Sequence, residues 1–450
     1  MWVFMWWTLL ACTPTPKPAG PGADTAALAL QVEPSAYVDN VFAVTWAPAE
    51  PATVELLAGS EVHRYDDVLP PLDVVGLAPA TDWLLSVQTD DGLATDTLRT
   101  ADPPPLLASL SLAEAQEGSE IARGYVLANL YDHPTLTGYA VIIDGLGRPV
   151  WWVPAHEGRK LVRARLSADG AGVLWAVTGW NLQPDEAQVG ITAFDGRTAQ
   201  VWSTPGLHHE VVEVGSELHY LAHEVDDDLV IGLFPTVPTA SDVVRVLDRD
   251  TGELSDGFAF FAHYPFTPYS PCSHAQLPSF LPGAVEWTHS NSLVPFDDGW
   301  LILPRYLDAL VHVRDDQFVW QAGGRDTTLL PATDDALTFH GHLTHAWGDR
   351  ALVFDNRSHT DEASRIVELQ FLPEEGRYQV VWSQPEPRGR YIDFLGDARR
   401  LPGGGTLVAW SPLGEIEELT DDGATRWHLD SDGVVGRVEF LPTLPGDGAG

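Results

Sequence analysis

WTHSNSLVPFDDGWLILPRYLDALVHVRDDQFVWQAGG, residues Trp287 to Gly324, contains the unit from which most of this chain is built. Asp297-Asp298-Gly299 supplies the residue types that a tight turn demands, so the apolar runs flanking it read as an antiparallel hairpin. Folding about that turn brings Arg305 opposite the Asn291 region and within cross-strand reach of His289. A histidine beside an arginine on one hairpin edge is a place to hold and attack an oxyanion. A surface histidine next to a solvated arginine is the alternative reading, and spacing alone leaves both open.

The unit recurs. A strand, a D-x-x-G-like turn and a strand ending in Trp or Phe appear six times: AVIIDGLGRPVWW, ITAFDGRTAQVW, VVRVLDRDTGELSDGFAFF, ALVHVRDDQFVW, IVELQFLPEEGRYQVVW and IEELTDDGATRWHL, starting near residues 140, 191, 243, 309, 366 and 416. A second hairpin precedes most copies, as in DGAGVLWAV, GSELHYLAH, DGWLILPR, GDRALVFDN and GGGTLVAW. Four strands per repeat at this period predict a six-bladed β-propeller over residues 106–445. The closing aromatic of each copy is expected to pack between neighbouring blades.

Upstream, residues 27–102 alternate apolar and polar positions in short runs bounded by turns, which predicts a small β-sandwich. Its phrase GLAPATDWLLSVQT resembles the tyrosine corner of fibronectin type III modules, with Trp83 in the tyrosine position. Asp102 to Pro105 is a stiff linker. Residues 1–11 form an apolar run too short to span a bilayer. Leu9-Leu10-Ala11-Cys12 resembles a bacterial lipobox, so the expectation is a lipoprotein signal peptide, lipidation at Cys12, and a Pro/Gly-rich tether over residues 12–26. The protein is then exported to the cell envelope and meets a membrane only through its lipid. Cys272 is the one other cysteine, which precludes an internal disulfide once Cys12 is lipidated.

The net charge of -39, with only two lysines, Lys17 and Lys160, argues against nucleic acid as a partner. It also requires that any anion site be local and shielded from the acidic exterior.

In each repeat the segment opening the second hairpin is the candidate innermost strand, lining the axis. Read in order, those segments carry Arg163 and Arg165, then His208 and His209, then His289, then His340 and His342, then Asp397. A single inward histidine is ordinarily satisfied by the core. Histidines in three consecutive repeats at one depth point instead to a shared site. No helical H-x-x-x-H and no cysteine cluster is present, so neither a metal nor a cofactor is expected.

The ordered motifs His289-Ser290-Asn291-Ser292, Asp298-Gly299 with Arg305, Trp320 to Gly324, His342, Phe354-Asp355-Asn356 and Ser364-Arg365 resemble the PAPS-independent aryl-sulfate sulfotransferase family. The likeness covers about Tyr125 to Leu429. It implies a six-bladed propeller behind a β-sandwich, and transfer of a sulfuryl group from a phenolic sulfate ester to a phenol through a sulfohistidine. Under it His342 corresponds to the sulfated histidine, His289 and Arg305 to further catalytic residues, and His209 to the remaining active-site histidine. His340 competes with His342, and His208 with His209. His345 lies on the opposite strand face, and Asp355 or Asn356 is expected to orient an imidazole. A non-catalytic propeller displaying loops for protein or glycan binding is the competing reading.

Overall fold

The computed structural model describes residues 28–155, 159–179, 186–229, 231, 237–269 and 283–446. The apolar leader, Cys12, the tether and Cys272 lie outside them. The described chain is nearly all β, with one α-helical turn, Phe260–His263, and short 3₁₀ turns. None of its helices is long and apolar enough to cross a membrane.

Between Ala29 and Arg99 two antiparallel sheets form, of three and four strands. Alternation puts Val44, Trp46, Val54, Leu56, Leu85 and Val87 inward, and these share one core with Trp83, which is fully buried.

From Ser111 to Leu441 the strands make six further sheets with antiparallel main ladders of four or five strands. The turns read from sequence are the third hairpin connections of these sheets, for example Ala309–Arg314 to Gln317–Gly323. The first strands are Arg159–Leu166, Leu207–Val214, Ser290–Phe296, Leu343–Trp347, Asp397–Arg400 and Val434–Leu441. Each touches the next, and Val434–Leu441 touches both Asp397–Arg400 and Arg159–Leu166, so the inner strands close a ring.

The chain ends close that ring twice. Val434–Leu441 pairs with Tyr125–Tyr131, and Ser111–Ala115 pairs with Thr425–Asp430. The core is correspondingly divided into clusters between adjacent sheets. One joins Leu352, Phe354 and Ile366 to Val408 and Trp410; another joins Trp152 to Leu407 and Trp427. Trp427 also donates its indole N–H to the Gly145 carbonyl at 2.9 Å. The sandwich is fastened to this ring. Val38, Val41 and Val75 enter the cluster around Trp151, and Asn40 donates to the Val150 carbonyl at 3.2 Å.

Candidate functional site

Four successive inner strands carry a non-glycine residue in the left-handed region within three residues of their starts: His209 (φ 55), His289 (φ 48), His340 (φ 54) and Leu395 (φ 59). This conformation costs an L-residue about 1–3 kcal/mol, and its recurrence at one register marks a functional constraint. The strand ladders shift beside it, between Leu207 and Val211 and between Ser290 and Ser292.

These bends gather imidazoles about the axis. The His209 ring centroid lies 5.0 Å from His289 and 5.9 Å from His342. His289 packs against Tyr306 at 4.8 Å, and its backbone carbonyl accepts the Arg305 N–H at 3.2 Å. The Arg305 guanidinium is buried and donates to the Asp393 carbonyl at 2.7 Å, while its Nε meets no protein acceptor. All four residues expected at the site therefore meet at one end of the inner strands. His209, partly exposed, makes the ring contacts with His289 and His342; His208 is fully buried behind it.

Charge organises the rings. His208 Nε2 lies 3.1 Å from the Asp242 carboxylate, which favours a proton on that nitrogen. Its Nδ1 then accepts from His209 Nδ1 at 2.8 Å, leaving a lone pair on His209 Nε2. Burial, then neighbouring His223, push His208 down to about 4. His209 is held well below the ordinary imidazole range by burial and by His289, His208 and His342. His342 is likewise lowered, first by burial and then by Arg437 and Arg305. The His289 Nδ1 is held by the buried Glu286 carboxylate at 2.6 Å.

Asp242 is itself fixed: its Oδ2 accepts the Thr288 hydroxyl at 2.7 Å and the Ser290 N–H at 2.5 Å. Although burial alone would raise its carboxyl, the adjoining His208 and His223 rings hold it well below the usual range.

The orienting carboxylates are thus Asp242 and Glu286, which corrects the expectation for Asp355 and Asn356. Asp355 binds the Phe339 N–H and Arg365, and Asn356 binds the Ile392 and Leu395 carbonyls. Their work is to hold the loops beneath the site. His345 accepts the Arg400 N–H on the far face, away from the axis.

The sixth inner strand adds a residue absent from the sequence reading. Arg437, fully buried, donates to the Asn291 carbonyl at 2.8 Å and reaches His342 Nδ1 at 3.4 Å. With His209, Lys160, Tyr131 and Leu395 it lines a narrow cleft of about 10 Å³. Burial, then Arg437, push Lys160 down to about 8. Arg163 is lowered to about 10 by burial, against its ion pair with Glu210 at 2.9 Å. Lys160 and Arg437 thus bring two cationic groups together inside a chain of net charge -39, with the Glu210 and Asp397 carboxylates nearby. The Asn291 side chain is fully buried with neither amide atom hydrogen bonded to protein. Such groups are rare in native interiors and commonly face a ligand or water.

No family model matches this chain, and no curated protein matches it. Among solved structures it is similar to TolB from Acinetobacter baumannii, at 10% identity over 82% of this chain and 81% of that one, with a TM-score of 0.41. A quinonprotein alcohol dehydrogenase-like protein from Bacteroides thetaiotaomicron matches at 8% identity, covering 89% and 94%, with a TM-score of 0.33. Streptogramin B lyase matches at 9% identity, covering 72% and 89%, with a TM-score of 0.36. Likeness at this level says nothing about chemistry.

Proposed function

We propose that this protein is an extracytoplasmic aryl-sulfate sulfotransferase, lipidated at Cys12, whose six ring sheets are the blades of a β-propeller behind a fibronectin III-like sandwich. The observation that carries the reading is the meeting of His209, His289 and His342 with Arg305 and Arg437 in a buried cationic seat. That arrangement suits a small anionic ester and supplies both a nucleophile and a proton carrier.

His342 is the nucleophile. Its ring is neutral, so one of its nitrogens carries an unprotonated lone pair. In the first half-reaction this lone pair attacks sulfur: an N–S bond forms, the ester S–O bond breaks, and the bonding pair leaves on the phenolate oxygen. Arg305 and Arg437 hold the sulfuryl oxygens through forked N–H groups. His289, its ring fixed by Glu286, delivers a proton from Nε2 to the leaving oxygen. In the second half-reaction the same nitrogen takes the proton from the acceptor phenol, whose oxygen attacks sulfur and releases His342. No redox partner is needed.

The test is incubation of the purified protein with a chromogenic aryl sulfate and a phenol, followed by mass analysis of the denatured enzyme. Phenol-dependent colour release and a sulfuryl adduct on His342 are expected. An adduct on His340 would reassign the nucleophile. Failure of transfer across several donors would favour the surface-displayed binding module.

A further inference from the structure

Beside the channel, three separate segments meet at a second constellation. Asp308 ends the 3₁₀ turn that begins at Arg305, His340 precedes Gly341-His342, and His359 follows the strand Arg350–Asp355. The two Nε2 atoms of His340 and His359 are 3.0 Å apart. Asp308 Oδ2 lies 3.5 Å from His359 Nε2, and Asp308 Oδ1 accepts the His340 backbone N–H at 2.7 Å.

We propose that Asp308, His340 and His359 bind one divalent transition-metal ion of the zinc class, through the two Nε2 atoms and one carboxylate oxygen. The donors are mutually close enough for a single ion, all within 4.8 Å of one another. Around zinc at 2.0–2.1 Å, tetrahedral donors stand about 3.3 Å apart, close to the 3.0 Å between the two imidazole nitrogens and the 3.5 Å from Asp308 to His359. Two imidazoles with one carboxylate select zinc-like ions over calcium or magnesium, which demand oxygen ligands. The His359 side chain is 36% exposed, which gives an entry path and leaves a coordination position to solvent. His340 is fully buried, and its left-handed backbone (φ 54) places its ring between Tyr306 and His359. The Asp308–His340 backbone hydrogen bond orients the carboxylate, as outer-shell contacts do in metal centres.

A second group, His208, His223 and Asp242, also has metal-compatible spacing. It is less suited, because its three side chains are nearly sealed from solvent, at 6% exposure or less, which leaves an ion no open path. The sequence offered no sign of the Asp308 centre, since its ligands come from three loops and no short motif joins them. Its consequence is mechanical. Asp308 sits on the Arg305 turn and His340 two residues before His342, so one ion clamps both segments of the anion seat without touching the reacting atoms.

The proposal is tested on the whole purified protein, stripped by chelator and titrated with Co²⁺, with Zn²⁺ as competitor. One equivalent of Co²⁺ is expected to bind with visible d–d absorption that Zn²⁺ abolishes. His359→Gln and Asp308→Asn are each expected to weaken binding about 10–100-fold, with circular dichroism unchanged. If one variant fails to fold, the other carries the test. Wild-type affinity and spectrum in a folded His359→Gln protein, as the surface group Glu415, His428 and Asp430 would give, overturn the proposal. So does the absence of saturable Co²⁺ binding by the wild type. Neither readout depends on sulfuryl transfer, so this proposal and the enzymatic one fail separately.

Discussion

Four side chains and their carboxylate partners divide the chemistry. His342→Ala removes the proposed attacking nitrogen, so both transfer and the sulfuryl adduct should vanish while the thermal transition persists. His289→Ala should lower kcat about 10²–10⁴-fold, the usual worth of a general acid–base group. Arg305→Ala should cost about 10²–10³-fold, as for one oxyanion donor, and both are read from initial rates with the chromogenic ester. His345 supplies a separate acid signature. Burial, then Arg399 and Arg400, lower it from 6.5 to about 3 in the folded protein. Between those values the unfolded chain holds the proton and the folded chain does not, so acidification through that window destabilises the fold by about 1.4 kcal/mol per pH unit. His345→Gln lacks this term. The stability of wild type relative to the variant, from urea melts, should therefore fall as pH drops from 6.5 towards 3; a constant difference would falsify the assignment. His289 and Arg305 were legible because one short turn joins them. Asp242 and Glu286 were not, because Asp242 reaches its imidazoles from another strand and Glu286 reads as an ordinary acidic residue ahead of Trp287.

At the level of strands and turns, the innermost position is where conformation and packing are most constrained. Gly396 leads into Asp397 at φ 109, and a Cβ there would stand 2.3 Å from the Phe354 ring of the preceding sheet. Gly396→Ala should destabilise by about 2–4 kcal/mol from the combined backbone strain and overpacking, measured as a shift of the urea midpoint at constant slope. Phe354 is fully buried against Trp410, so the ring has nowhere to retreat. Turn chemistry and strand period made these elements visible in the sequence: each D-x-x-G-like copy lies where a third strand meets a fourth. The left-handed histidines were invisible, since a period of two assumes unbroken alternation. That is why His340 and His342, two apart, were assigned a common face while their contacts diverge to His359 and Arg437.

Over the whole molecule, the inner ring is completed by Val434–Leu441, near the end of the described residues, paired to Tyr125–Tyr131. Counting repeats found five inner segments and missed the sixth, because Val434–Leu441 follows the last repeat and pairs back to Tyr125–Tyr131. Removing residues from Asp432 onward deletes that strand and Arg437 together. Such a truncation should lose the cooperative thermal transition altogether, not merely lower its midpoint, since two inter-sheet clusters lose Val435, Val438 and Leu441. Calorimetry distinguishes these outcomes. The same closure has a temporal meaning during synthesis. Arg437 leaves the ribosome after His209, His289 and His342, so a nascent chain carries the histidines long before the arginine that faces them. Under the proposed function, a product terminated before Asp432 would lack Arg437 and so be inert as well as unstable.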